Sequence, residues 1–328
     1  MSEVLVEIKN LVINFYTYRG VVQAINGVNL KIQKGEFFGI VGETGCGKSV
    51  TGSAILNLVQ NPGKIEKGEI LFKGKDILKM SEEEIREKIR GKEITMIMQH
   101  PVAALNPVIK NVDQIAEALS KKMSPTEAKK RAIEWLKEVN IPEPEKVANQ
   151  YPHQLSGGMA QRVMIAMMLA TQPSLLIADE PTTALDVSIQ AQVLNLLGDL
   201  IKKHRASVLL ITHDLSIVAE TCDRVGVMYA GDMVEVGEVE QIINNPKHPY
   251  TIGLMQAIPS EPRKELVGIK GTVPDLVTPP SGCRFHPRCD YADRKCQEQK
   301  PESIQVEPHH AVACFLYGEP THGNLNQT

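Results

Sequence analysis

The chain is poor in aromatic residues: Phe, Trp and Tyr make up 4% of its 328 residues, with a single Trp. Stacking platforms for single-stranded nucleic acid are therefore scarce. It has no surplus of positive charge, and a formal net charge of −3 argues against nucleic acid as a partner. No window of about 20 apolar residues occurs, so no membrane-spanning helix is expected. The first residues, Met1-Ser2-Glu3-Val4, lack a basic segment leading into an apolar stretch, and no secretory signal is expected. Internal repeats and paired C-x-x-C knuckles are missing too. What remains, 42% hydrophobic and 23% charged residues, is the composition of an ordinary soluble globular protein, long enough for two or three compact units.

Three short motifs stand out against this plain background. Gly42-Glu43-Thr44-Gly45-Cys46-Gly47-Lys48-Ser49 fits the phosphate-loop pattern G-x-x-x-x-G-K-[ST] at every position. Its glycines let backbone N–H groups converge on phosphate oxygens, and Val50 continues into the helix whose positive end points the same way. Lys48 is placed to reach the β- and γ-phosphates, and Ser49 to offer its hydroxyl to Mg²⁺. Cys46 reads as a small residue whose side chain leaves the loop. About a hundred residues later, Leu155-Ser156-Gly157-Gly158-Met159 opens a helical pattern with Val163, Ala166 and Met167, an anion site made of free N–H groups. Leu175-Leu176-Ile177-Ala178-Asp179-Glu180 is an apolar run ending in two carboxylates. Asp179 suits the Mg²⁺ shell, and Glu180 can orient the attacking water.

Between the motifs, Val4–Ile8, Val28–Ile32, Phe37–Val41, Glu69–Phe72, 175–178 and Val208–Ile211 read as strands. Ser81-Glu82-Glu83-Glu84 and Ser124-Pro125-Thr126-Glu127 read as capping boxes. Ala128, Ala132, Trp135 and Val139 mark one face of the second helix, and Asp186 or Ser188 can cap the helix carrying Val193, Leu196, Leu197 and Leu200. Strands alternating with helices predict an α/β fold with a parallel sheet and loops gathered at the strand ends. Residues from about 100 to 172 are expected to be mostly helical, and the proline-rich stretch from 246 onward reads as a separate, loop-rich appendage. ATP binding is then expected to be indifferent to that appendage.

The motifs, in this order, resemble those of ATP-binding cassette (ABC) proteins over nearly the whole chain. The resemblance implies a P-loop (RecA-like) ATPase core with an antiparallel β subdomain, an inserted helical subdomain and a small C-terminal metal-binding extension. It places a nucleotide-binding domain at 1–245 and the extension at 246–328. It makes Gln99 the Q-loop glutamine, contacting Mg²⁺ or the water and linking to a membrane subunit. Ala184-Leu185-Asp186 becomes the D-loop and His213 the switch histidine on the γ-phosphate. Ser156, Gly157 and Gly158 are implied to close on the nucleotide of an opposite subunit. Adenine needs an aromatic face, for which Tyr16, then Tyr18, is expected.

A narrower resemblance rests on His153–Met167, on Asn245-Pro246-Lys247-His248-Pro249-Tyr250-Thr251, and on Gly282-Cys283-Arg284-Phe285-His286-Pro287-Arg288-Cys289. These segments are similar to the D-type ATPases of dipeptide and oligopeptide permeases, whose phosphate loop carries Ser where this chain has Thr44 and Cys46. The resemblance implies an ATPase that energises peptide import from the cytoplasmic face of the membrane. Its partners would be a second ATPase subunit, a paralogue by preference, two membrane-spanning permease subunits and, indirectly, an extracytoplasmic peptide-binding protein. The alternatives are a related cargo such as nickel chelates, glutathione or sugars, or a soluble ABC protein acting on ribosomes or DNA. Cys283, Cys289, Cys296 and Cys314 follow C-x5-C-x6-C-x17-C. That spacing points first to a [4Fe–4S] cluster of structural role, then to a zinc site, then to free thiols.

Overall fold

The computed structural model describes residues 3–99, 104–120, 123–182, 186–257 and 268–318. Of the turn Ala184-Leu185-Asp186 only Asp186 is described, and residues 100–103 of the expected Q-loop surface also lie outside. The strands, in chain order, are β1 Val4–Thr17, β2 Gly20–Gln33, β3 Phe37–Val41, β4 Gly63–Phe72, β5 Lys75–Asp76 and β6 Ile94–Ile97. They continue with β7 Leu175–Asp179, β8 Ser207–Ile211, β9 Arg224–Tyr229, β10 Asp232–Glu238, β11 Ile304–Glu307 and β12 His310–Val312. The chain divides into two compact units, one of Met1–Lys79 with Ile211–Thr328 and one of Met80–Leu210.

The first unit holds an antiparallel sheet in the order β2-β1-β4-β5. β1 and β2 are far longer than the stretches read as strands, 14 residues each, because both continue as a paired hairpin in which Leu11, Ile13, Ala24 and Ile25 are buried as well. A second set runs β11-β12-β10-β9-β3. Here β3, as expected, is a buried apolar strand, paired in parallel with β9 from Phe38↔Arg224 to Val41↔Val227, and it delivers the chain to the phosphate loop. The tail is built onto this set. β12 pairs with β10 at Glu235↔Val312 and Val236↔Ala311. Beneath that pairing, Glu235 and His310 are both fully buried and meet at 2.7 Å. The Glu235 carboxylate also accepts the backbone N–H groups of Lys247, at 2.7 Å, and His248, at 2.8 Å. A buried carboxylate is tolerated only when so fully partnered.

The second unit carries the parallel pair β6 and β7, in register from Ile94↔Leu175 to Ile97↔Ala178. Helices Asn111–Leu119, Pro125–Glu138, Pro144–Ala148 and Gly157–Ala170 lie in sequence between them. Ser81 and Ser124 each form the reciprocal capping box read from the sequence. Ala128, Ala132, Trp135 and Val139 are buried, as the periodicity requires. Helix Val187–His204 does start after Asp186, but the Asp186 side chain makes no capping bond. Among the described residues no helix is long and apolar enough to cross a membrane.

Candidate functional site

In the first unit, β3 ends in the phosphate loop and the helix Lys48–Ile55 begins directly after it. Two glycines are there of necessity. At Gly42, φ is +151° and an added Cβ would lie 2.1 Å from the Met228 carbonyl oxygen. At Gly47, φ is +106° and a Cβ would meet Ile25 Cδ1 at 2.6 Å. Only glycine fits both the backbone sign and the space. The Lys48 ammonium, almost wholly buried, donates to the carbonyls of Gly42, at 2.7 Å, and Glu43, at 3.1 Å, so it is held over the loop. Thr44, Gly45 and Ser49 are exposed on the same turn, and Val50 is half-buried in the first helical turn.

Cys46 differs from expectation. Its side chain is fully buried rather than leaving the loop, and burial raises its thiol pKa. Glu43 is also unlike a solvated loop residue. Its N–H donates to the Tyr250 hydroxyl at 2.9 Å, and its carboxylate takes a two-pronged ion pair from Arg288. The expected indifference of the loop to the tail therefore has no structural basis. Sequence reading missed this because no spacing rule links position 43 to position 288. The one available signal was an arginine inside the tail motif.

His213 is exposed, two residues past the end of β8. The N–H of Thr212, just before it, donates to the Ile40 carbonyl at 3.1 Å, which ties this turn to the strand that feeds the phosphate loop. Tyr16 lies on β1, 46% exposed, with its hydroxyl donating to Glu66 at 2.8 Å and the Lys64 ammonium 5.4 Å from its ring centroid. The Glu66 hydrogen bond raises its phenol pKa. Tyr18 is 92% exposed.

In the second unit, the β6–β7 register places position 99 opposite position 180. The Gln99 side-chain amide donates to the Glu180 carboxylate at 3.0 Å. Glu180 itself has φ of +45°, a left-handed conformation that a side chain of this size seldom adopts. Asp179 closes β7 just before it. Ser156 caps the helix Gly157–Ala170, its hydroxyl accepting from the Met159 N–H, and Ser156 and Gly157 are exposed. This geometry leaves the Gly157 and Gly158 N–H groups at a helix start.

The tail cysteines are brought together. Cys283, Cys289, Cys296 and Cys314 line one cavity of about 60 Å³, with His248 and Phe285 in its wall. None of the six cysteines forms a disulfide. Burial pushes the Cys283 thiol up to about 12 and the Cys314 thiol up to about 11, and the neighbouring cysteines add to the rise in both. Such a group of thiols becomes thiolate only when a positive centre joins it. Among the described residues no group of three or more His, Cys, Asp or Glu is arranged to hold a single metal ion.

The sequence family described as ABC transporter matches residues 25–183. The family described as the oligopeptide/dipeptide transporter C-terminal region matches residues 234–296. The oligopeptide transport ATP-binding protein OppD of Bacillus subtilis is 54% identical over 95% of this chain and 88% of its own length. The dipeptide transport ATP-binding protein DppD of the same organism is 48% identical over 96% and 95%. Among solved structures, the dimeric post-hydrolysis state of the ATP-binding cassette MJ0796, bound to ADP and Pi, matches at a TM-score of 0.63. It is 31% identical and covers 72% of this chain and 99% of that one.

Proposed function

The chain belongs to the oligopeptide and dipeptide branch of the ABC transporter ATPases, and on that premise we propose how its residues energise peptide import. It is the ATP-hydrolysing subunit of an importer for di- or oligopeptides. Residues 1–245 act as the nucleotide-binding domain and 246–328 as its extension. The loop Gly42–Ser49, with Val50, holds the phosphates, Ser49, Gln99 and Asp179 share the Mg²⁺ shell, and Tyr16 faces adenine. Glu180 is the base that orients water, and His213 clamps the γ-phosphate. Ser156, Gly157 and Gly158 close on the nucleotide of a second ATPase subunit, a paralogue. That pair drives two membrane-spanning permease subunits from the cytoplasmic face, and a peptide-binding protein outside delivers the cargo.

The observation that carries this reading is the Gln99–Glu180 hydrogen bond beyond two parallel strands. A glutamine that senses magnesium and a carboxylate that prepares water belong beside each other, since both act on the same phosphoryl group. Reconstitution with the permease and partner subunits tests it. Peptide uptake that depends on Lys48 and Glu180 is the expected result, and uptake that survives Lys48→Ala rejects it.

For the cysteines the reading is a [4Fe–4S] cluster. Support comes from the one cavity that all four cysteines line, since a cubane cluster takes one thiolate on each iron. The cluster would serve as a staple for a segment with little apolar core, and no electron transfer is assigned to it. Anaerobically purified protein should be brown, with broad absorbance near ~400 nm. Colourless protein with one zinc per chain selects the zinc alternative. Metal-free protein with four titratable thiols rejects both.

A further inference from the structure

We propose that Arg288 and Tyr250 are positioning residues for nucleotide binding, holding the phosphate loop in shape through Glu43. Glu43 is gripped at two points. Arg288 Nη1 lies 2.7 Å from Oε2 and Nη2 lies 3.2 Å from Oε1, a parallel fork that fixes the carboxylate in direction as well as place. The Tyr250 hydroxyl accepts the Glu43 backbone N–H at 2.9 Å. Both side chains of this grip, the Arg288 donor and the Tyr250 acceptor, are themselves immobilised. The Arg288 side chain is 5% exposed and lies over the rings of Tyr229 and Phe285, with Nε donating to the Lys270 carbonyl at 2.7 Å. Tyr250 is fully buried against Tyr229, its ring centroid 4.7 Å away.

Glu43 matters because Lys48 is aligned by it. The Lys48 ammonium rests on the carbonyls of Gly42 and Glu43, so a displaced Glu43 moves both the lysine and the loop N–H groups that meet phosphate. The grip belongs to the tail, not to the motif. Arg288 directly precedes Cys289, and Phe285 touches Tyr250 at 5.5 Å between ring centroids while forming a wall of the cysteine cavity. It follows that whatever organises the four cysteines also sets the affinity of the loop for nucleotide. This last step rests on the cluster reading above; the positioning roles do not.

Binding of a fluorescent ATP analogue to the full chain, measured with iron content and melting temperature, tests both. Tyr250→Phe, Glu43→Gln and Arg288→Lys should each weaken binding about tenfold, the scale of one lost charge-assisted or buried hydrogen bond. In Tyr250→Phe and Arg288→Lys, turnover at saturating ATP, with partners present, should stay near the wild-type value. A merely structural lesion would do the reverse, lowering the active fraction and leaving affinity alone. Glu43→Gln combined with Arg288→Lys should be no weaker than the worse single variant, because they break one contact. Wild-type affinity in both Tyr250→Phe and Glu43→Gln, with iron and melting unchanged, overturns the positioning role. Cys296→Ser should lose iron and weaken nucleotide binding to a similar degree. Iron lost with affinity intact overturns the coupling. A wild-type chain free of iron overturns the cluster, and with it the coupling, while the Tyr250 and Glu43 variants still decide the positioning role.

Discussion

Glu180 pays for its place with a left-handed backbone, and its partner Gln99 fixes the direction of its carboxylate. Glu180→Gln keeps size and shape but cannot take a proton from water. Turnover should fall by about 10²–10⁴, the range of a lost general base, with MgATP binding preserved and a closed dimer trapped. Steady-state ATPase with the partner present, and size-exclusion in ATP, measure both. Gly42→Ala fails differently. Its new methyl group would stand where the Met228 carbonyl is, at a φ that alanine resists. Nucleotide affinity should drop by more than tenfold and the melting temperature with it, as calorimetry would record. At this scale Lys48, Ser49, Asp179 and Glu180 stand out in the sequence because phosphate chemistry restricts residue types and spacing. The Glu43 grip was not legible, since an ion pair between positions 245 apart leaves no periodic trace.

Helix ends repeat the lesson one level up. The capping boxes at Ser81 and Ser124 were readable because every partner lies within three residues. The union of helices Pro125–Glu138 and Val187–His204 was not. There Glu138, at the end of the first, takes hydrogen bonds from His204 at 2.9 Å and Lys203 at 3.1 Å in the last turn of the second. Burial pushes the Glu138 carboxyl up, but these bonds outweigh it and leave the group below its ordinary value of 4.5. The unfolded chain therefore takes up this proton at higher pH than the folded one. The contribution is complete above pH ~4.5 and disappears as the pH falls through the folded value. Glu138→Gln should cost about 1 kcal/mol near neutrality, and that difference should shrink in acid. Urea midpoints across pH for both proteins measure this, and a difference that is constant with pH refutes it. Strand lengths were equally beyond the sequence: β1 runs on past register shifts at Ile8/Leu11 and Ile13/Asn14, which break the simple alternation that marks a strand.

For the whole molecule, the exposed turn before helix Asn111–Leu119 is the surface to test for coupling to a permease. Val108 is 79% exposed there, an apolar residue left in solvent. Val108→Asp should lower peptide uptake in reconstituted vesicles about tenfold, the scale of an interface anchor, while ATP hydrolysis continues. Uptake equal to wild type moves the docking surface elsewhere. The fold class was legible because the three motifs come in a fixed order. The attachment of the tail was not, because β9 to β12 are short runs broken by glycine, proline and charge.

The tail also works as a lid on hydrogen-bonding capacity. β12 occupies the outer side of β10, whose residues Val234 and Glu235 are buried with it. A chain shortened ahead of β11 would leave β10 with a row of unanswered N–H and C=O groups and its neighbours uncovered. Such an edge recruits strands from other molecules. The truncated protein should scatter light and sediment as oligomers at concentrations where the full chain does not. Solubility, on this view, depends on the same few residues that cover β10.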